Sequence, residues 1–114
     1  MKIAEKVIQI LEMAQITSEG ALSVWVYTEP LGNPSFHLRR KGEYEVALQI
    51  NDFSILQWKA NPRNLKEIPS ADRKKMISML NQEEEGVSYW KQLLIAWNVL
   101  NYKYKISLQT RIPI

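Results

Sequence analysis

The sequence predicts an α+β fold: an amino-terminal helix, an antiparallel meander of about four strands, and two carboxy-terminal helices packed on the sheet. Three observations point there. Apolar residues alternate with period two through much of residues 21–59, with Gly, Pro, Asn and Asp clusters between the runs. They return to helical spacing after residue 70. The chain has 114 residues, 46% hydrophobic and without cysteine, which suits a single domain over 1–114 with one core and no disulfide staples.

Taken in order, residues 2–15 read as a helix, appended to the core over residues 1–17. Ile3, Val7, Ile10, Leu11 and Ala14 share one side, and Thr17-Ser18-Glu19-Gly20 stops it. Residues 21–28 read as a strand with Leu22, Val24 and Val26 on one face and Trp25 and Tyr27 on the other. Residues 34–50 read as a β-hairpin. A three-residue loop, Arg40-Lys41-Gly42, would set Arg39 opposite Glu43, Leu38 opposite Tyr44, His37 opposite Glu45 and Phe36 opposite Val46. After a reversal at Asn51-Asp52, residues 53–59 form the last strand of the meander. Ser70 is the expected N-cap of a helix with Asp72 in its first turn, a stripe of Met76, Ile77 and Leu80, and an end at Asn81. The final helix starts either at Glu83-Glu84-Glu85 or at Ser88. It carries the broadest apolar surface: Trp90, Leu93, Leu94, Trp97 and Leu100. In the tail, Tyr102, Tyr104, Ile106 and Leu108 alternate with polar residues, the pattern of an edge strand that could also pair with a second subunit as a homodimer.

Composition narrows the function classes. Without cysteine there is no thiolate metal site, and a single histidine offers no ligand spacing, so neither a metal nor a cofactor is expected. Neither a P-loop, a dinucleotide fingerprint nor a nucleophile elbow occurs. The longest strongly apolar run, residues 93–97, is too short to span a bilayer, and the charged start does not read as a signal peptide, so the expected location is the cytoplasm. Net charge is +3 but uneven: residues 58–114 hold 10 basic and 5 acidic side chains, against 5 and 7 in residues 1–57. The basic candidates are Arg40, Lys41, Lys59, Arg63, Lys66, Arg73, Lys74 and Lys75, and Trp58 beside Lys59 could stack on a base. RNA or DNA is the partner that such a set would suit.

The one polar constellation with chemical potential is His37, Arg39, Glu43 and Glu45. A carboxylate beside a histidine can hold one tautomer for acid–base work, and an arginine can stabilise charge developing on a phosphate. His37 would be the acid or base, Glu45 its orienter and Arg39 the charge stabiliser. The plainer reading is a solvated face with cross-strand ion pairs, each worth roughly 0.2–1 kcal/mol.

The hairpin also carries a resemblance. Asn33-Pro34-Ser35-Phe36-His37-Leu38, followed by Gly42-Glu43-Tyr44-Glu45-Val46-Ala47, resembles small bacterial proteins of the domain-of-unknown-function 4160 family. Ile68-Pro69 is similar to that family's helix opener, Trp90 or Trp97 to its late tryptophan, and Arg111-Ile112-Pro113-Ile114 to its tail. Where the family has a first histidine this chain has Ser35, so the family's His-x-His pair is absent. Some members are regarded as toxin components of toxin–antitoxin pairs. The resemblance therefore implies a toxin-like or partner-binding role with a small partner protein. The leading expectation is macromolecular binding. A weak phosphate-directed enzyme and a structural dimerisation module are the alternatives.

Overall fold

In the computed structural model, residues 12–113 are described. They form an α+β unit built on a five-stranded antiparallel sheet whose spatial order follows the chain: β1 (Met13–Glu19), β2 (Leu22–Tyr27), β3 (Ser35–Arg40), β4 (Tyr44–Gln49) and β5 (Ile55–Ala60). Two helices follow, α1 (Ser70–Asn81) and α2 (Tyr89–Leu100).

The amino-terminal helix expected over residues 2–15 lies mostly outside the described residues. Where the expectation overlaps them it is corrected, because Met13–Glu19 is a strand and the sheet has five strands, not four. Ala14 fits a helical stripe, but Ala14 and Ile16 also alternate with Gln15, and β2 offers an edge to pair with. The pairing runs from Met13 opposite Tyr27 to Glu19 opposite Leu22, with Ile16 at a bulge between Gln15 and Thr17. Gly20 takes a positive φ (60°) at the first position of the two-residue connection, where glycine meets no steric penalty.

The β3–β4 register is shifted by two residues from the expected one. His37 lies opposite Ala47, Arg39 opposite Glu45 and Arg40 opposite Tyr44. The turn decides it: the Glu43 N–H donates to the Arg40 carbonyl at 2.9 Å, with Gly42 at φ 78° in the third position, which a type II turn reserves for glycine. Because a strand repeats every two residues, this shift leaves every side chain on its expected face. Beyond β4, the Asn51-Asp52 reversal forms, but Phe53 sits in the turn at φ 60° and not in the last strand, which begins at Ile55. Its ring holds it there, packed edge-on against Phe36 (5.3 Å between centroids) and Trp90 (5.6 Å).

One sheet face is the core. Ala14, Ile16, Leu22, Val24, Val26, Phe36, Leu38, Val46 and Leu48 are all buried on it, and both helices pack against this layer over β1 and β2. From α1 come Met76, Met79 and Leu80. From α2 come Trp90, Leu93, Leu94, Ala96, Trp97 and Leu100. Ser70 is the first residue of α1 and not its cap; Pro69 occupies that position without a side-chain hydrogen bond. Ser88 does cap α2, accepting from the Lys91 N–H at 3.1 Å. The acidic run joins neither helix. Glu83–Glu84 pairs with Val87–Ser88 in a small hairpin turning on Glu85 and Gly86, both at positive φ.

The tail is not a strand. Tyr102–Tyr104 form a 3-10 turn, and residues 105–113 are irregular. Side chains of α2 take the backbone groups that a strand would have offered to a neighbour. Trp97 Nε1 donates to the Tyr104 carbonyl (2.8 Å), and Trp90 Nε1 donates to the Thr110 carbonyl (2.8 Å). Asn98 closes both ends of Ile106, donating to its carbonyl (2.9 Å) and accepting from its N–H (2.8 Å). The expected tail strand is thus replaced by an irregular segment tied to α2.

Candidate nucleic-acid interface on the open sheet face

Both helices lie on the core side of the sheet, over β1 and β2; the second face is buried at its centre, at Ser35, His37 and Ala47, and exposed around it, at Gln15, Ser18, Arg39 and Gln57. The pairings place Gln15, Ser18, Ser23, Trp25, Tyr27, Ser35, His37, Arg39, Glu45, Ala47, Gln49 and Gln57 on it. Alternation dictates this along β2, β3 and β4, and the bulge at Ile16 brings Ser18 onto the same face opposite Ser23.

His37 is the centre. It is only 8% exposed, although it faces outward. The Tyr27 ring lies 4.3 Å away, centroid to centroid, and Trp25 lies directly across the β2–β3 pair. Nδ1 lies 2.7 Å from Glu45 Oε2, a diagonal contact created by the observed register. With Nδ1–H donating to Glu45, Nε2 keeps its lone pair. Burial pushes the imidazole below its ordinary pKa. The Glu45 carboxylate pulls the other way without winning, and the nearby Lys59 charge adds to the depression. Tyr27 is raised, first by burial and then by Glu45, against the opposing charge of Arg39. The structure therefore brings His37, Glu45 and Arg39 together and adds Tyr27.

Glu43 stands apart. It accepts from Arg40 Nε and lies 3.5 Å from Arg63 Nη1, at the hairpin tip. Arg40 turns toward the helices, where Nη1 donates to Asp72 Oδ1 at 3.0 Å. The Tyr44 hydroxyl donates to the other oxygen of Asp72 at 2.8 Å. Burial first, then this bond, raises the Tyr44 pKa. This network ties β3 and β4 to α1 and is structural.

The basic residues do not converge into one patch. Lys41 and Arg39 flank the β1–β2 turn, and Lys75 of α1 brings its Nζ close to Gly20 there. Lys59 lies beyond β4 with its Nζ donating to Gln57 at 3.0 Å. Lys66 and Lys74 are exposed elsewhere, and Arg73 is half-buried on α1. Trp58 lies on the helix side, half-buried, opposite Val46 and edge-on to Tyr44 at 5.7 Å. The aromatic residues that the open face does offer are Trp25 and Tyr27, with ring centroids 6.5 Å apart and planes at 30°. Their signal is in the sequence: they share a parity with polar Ser23, which marks that face of β2 as mixed, unlike the wholly apolar Leu22, Val24 and Val26.

Among the described residues, no group of three His, Cys, Asp or Glu side chains is arranged to hold a metal ion. No helix among them is long and apolar enough to cross a membrane. Comparison with family models, curated proteins and solved structures gives no match.

Proposed function

We propose that the protein acts by binding nucleic acid on the open face of its sheet. The observation that carries this is the face itself. Both helices lie on the other side, while this side presents two aromatic rings among polar groups, flanked by Arg39 and Lys59. Aromatic rings give bases a sequence-tolerant platform, and the cations supply salt-dependent phosphate contacts. A component of a toxin–antitoxin pair with a small partner protein is the form of this role that the hairpin resemblance supports.

The test is fluorescence anisotropy with labelled single-stranded RNA and DNA over a salt series. Wild-type protein should bind with affinity that falls as salt rises. Arg39→Glu with Lys59→Glu should bind more weakly and flatten the log–log salt slope by about 0.7–0.9 for each phosphate no longer neutralised. Binding that ignores both salt and charge reversal would sink the proposal.

The Nδ1 contact to Glu45 favours a second reading, in which His37 acts as a general base on a bound phosphodiester. Labelled RNA incubated with wild type and with His37→Gln separates the two, since only the enzyme predicts fragments that the variant fails to produce.

A further inference from the structure

A shallow basin of about 390 Å³ opens on this face at its β1–β2 end, lined by Gln15, Ser18, Ser23, Trp25, Arg39 and Lys41 together with the backbone of the Gly20-Ala21 turn. Its chemistry differs from that of the rest of the face. Among the described residues no carboxylate lines it, whereas the neighbouring hollow across Arg39 holds Glu43 and Glu45. Two cations sit in the wall, and Lys75 Nζ approaches the turn from α1, so the basin is complementary to an anion.

The aromatic wall is held in place. Trp25 Nε1 donates to Ser23 Oγ at 2.8 Å, and the indole lies alongside Tyr27. An indole fixed before binding loses little freedom when a flat group stacks on it. Gln15 and Ser18 add side-chain groups that both donate and accept hydrogen bonds, suited to the edges of a base. The volume suits one such group with its phosphate, toward the small end of the range for ligand sites.

We infer that this basin is a nucleotide subsite of a single-stranded nucleic acid: the Trp25 indole stacks one base while Arg39 and Lys41 hold the adjoining phosphates. A single strand follows from the chemistry, because a base inside a duplex already has both faces stacked and cannot offer one to an indole. An acidic peptide would satisfy the cations but would leave the indole without a planar partner. The inference rests on the proposed nucleic-acid role and adds where a base is held and by what.

The test reads the Trp25 indole N–H resonance by ¹⁵N-correlated NMR during titration with adenosine 5′-monophosphate, then with a single-stranded oligonucleotide. Both should shift it. In anisotropy, Trp25→Ala should weaken oligonucleotide binding roughly 5- to 150-fold, the range expected for one stacked base. Trp25→Phe should keep most of the affinity, and circular dichroism should show both variants folded. A duplex of the same sequence should compete poorly. An oligonucleotide that binds wild type in the salt-dependent way, leaves the Trp25 resonance still and binds Trp25→Phe and Trp25→Ala equally well overturns the subsite and spares the wider role. A resonance that moves with a poly-glutamate peptide and not with nucleotides, or no oligonucleotide binding at all, overturns both.

Discussion

At the scale of single residues, His37 sets two influences against each other. Burial disfavours its charged form, and Glu45 at 2.7 Å favours it; burial prevails. The unfolded chain therefore takes up this proton more readily than the folded one. It follows that folding stability falls as pH drops below the ordinary histidine value of about 6.5 and continues to fall until the depressed folded pKa is passed. Urea midpoints of wild type and His37→Gln at neutral and mildly acidic pH check this. The variant should lose less stability on acidification, and the difference isolates His37 from the carboxylates. In wild type, the His37 ring-proton titration should have its midpoint below about 6.5, and lower still in Glu45→Gln, where the supporting charge is gone. That Glu45 partners His37 was legible in the sequence, although through the wrong register. That Tyr27 covers the imidazole was not, because the contact comes from a neighbouring strand with its own path.

At the scale of elements, the tail shows how a correct periodicity can mislead. Tyr102, Tyr104, Ile106 and Leu108 alternate as a strand would, and Tyr102, Tyr104 and Leu108 nevertheless remain exposed. A strand also needs a row of backbone partners, and here these are the indoles and the amide of α2. Asn98 is the clearest of them, since one side chain satisfies both backbone groups of Ile106. Asn98→Ala should cost about 1–3 kcal/mol by urea denaturation. It should also speed hydrogen exchange at the Ile106 amide while leaving the β3–β4 amides at wild-type rates. The β3–β4 hairpin offers the opposite lesson. Its existence, its turn glycine and its two faces were all readable. A register error of two residues escaped because alternation is blind to even shifts, and only the turn hydrogen bond to Arg40 separates the choices.

At the scale of the whole molecule, the sheet has one face covered by the helices and a second face away from them, and the two should answer mutation differently. Leu38 is fully buried in the core layer of the sheet, so Leu38→Ala should cost about 2–5 kcal/mol. Trp25→Ala, on the open side, should cost less than about 1.5 kcal/mol despite the larger side chain removed. Urea midpoints compare them directly. The α+β class, the antiparallel meander and the final helix as the main apolar surface were legible because each rests on local periodicity. The strand at Met13–Glu19 was missed because its identity depends on an available edge, which no local window contains. The order of the elements along the chain also bears on synthesis. All five strands of the main sheet precede both helices, so the sheet's apolar side is translated some 40 residues before α2, which ends at Leu100, is complete. At roughly 5–20 residues per second, that leaves the nascent sheet uncovered for about 2–8 s. In that interval the growing chain is most exposed to aggregation, and most in need of a chaperone.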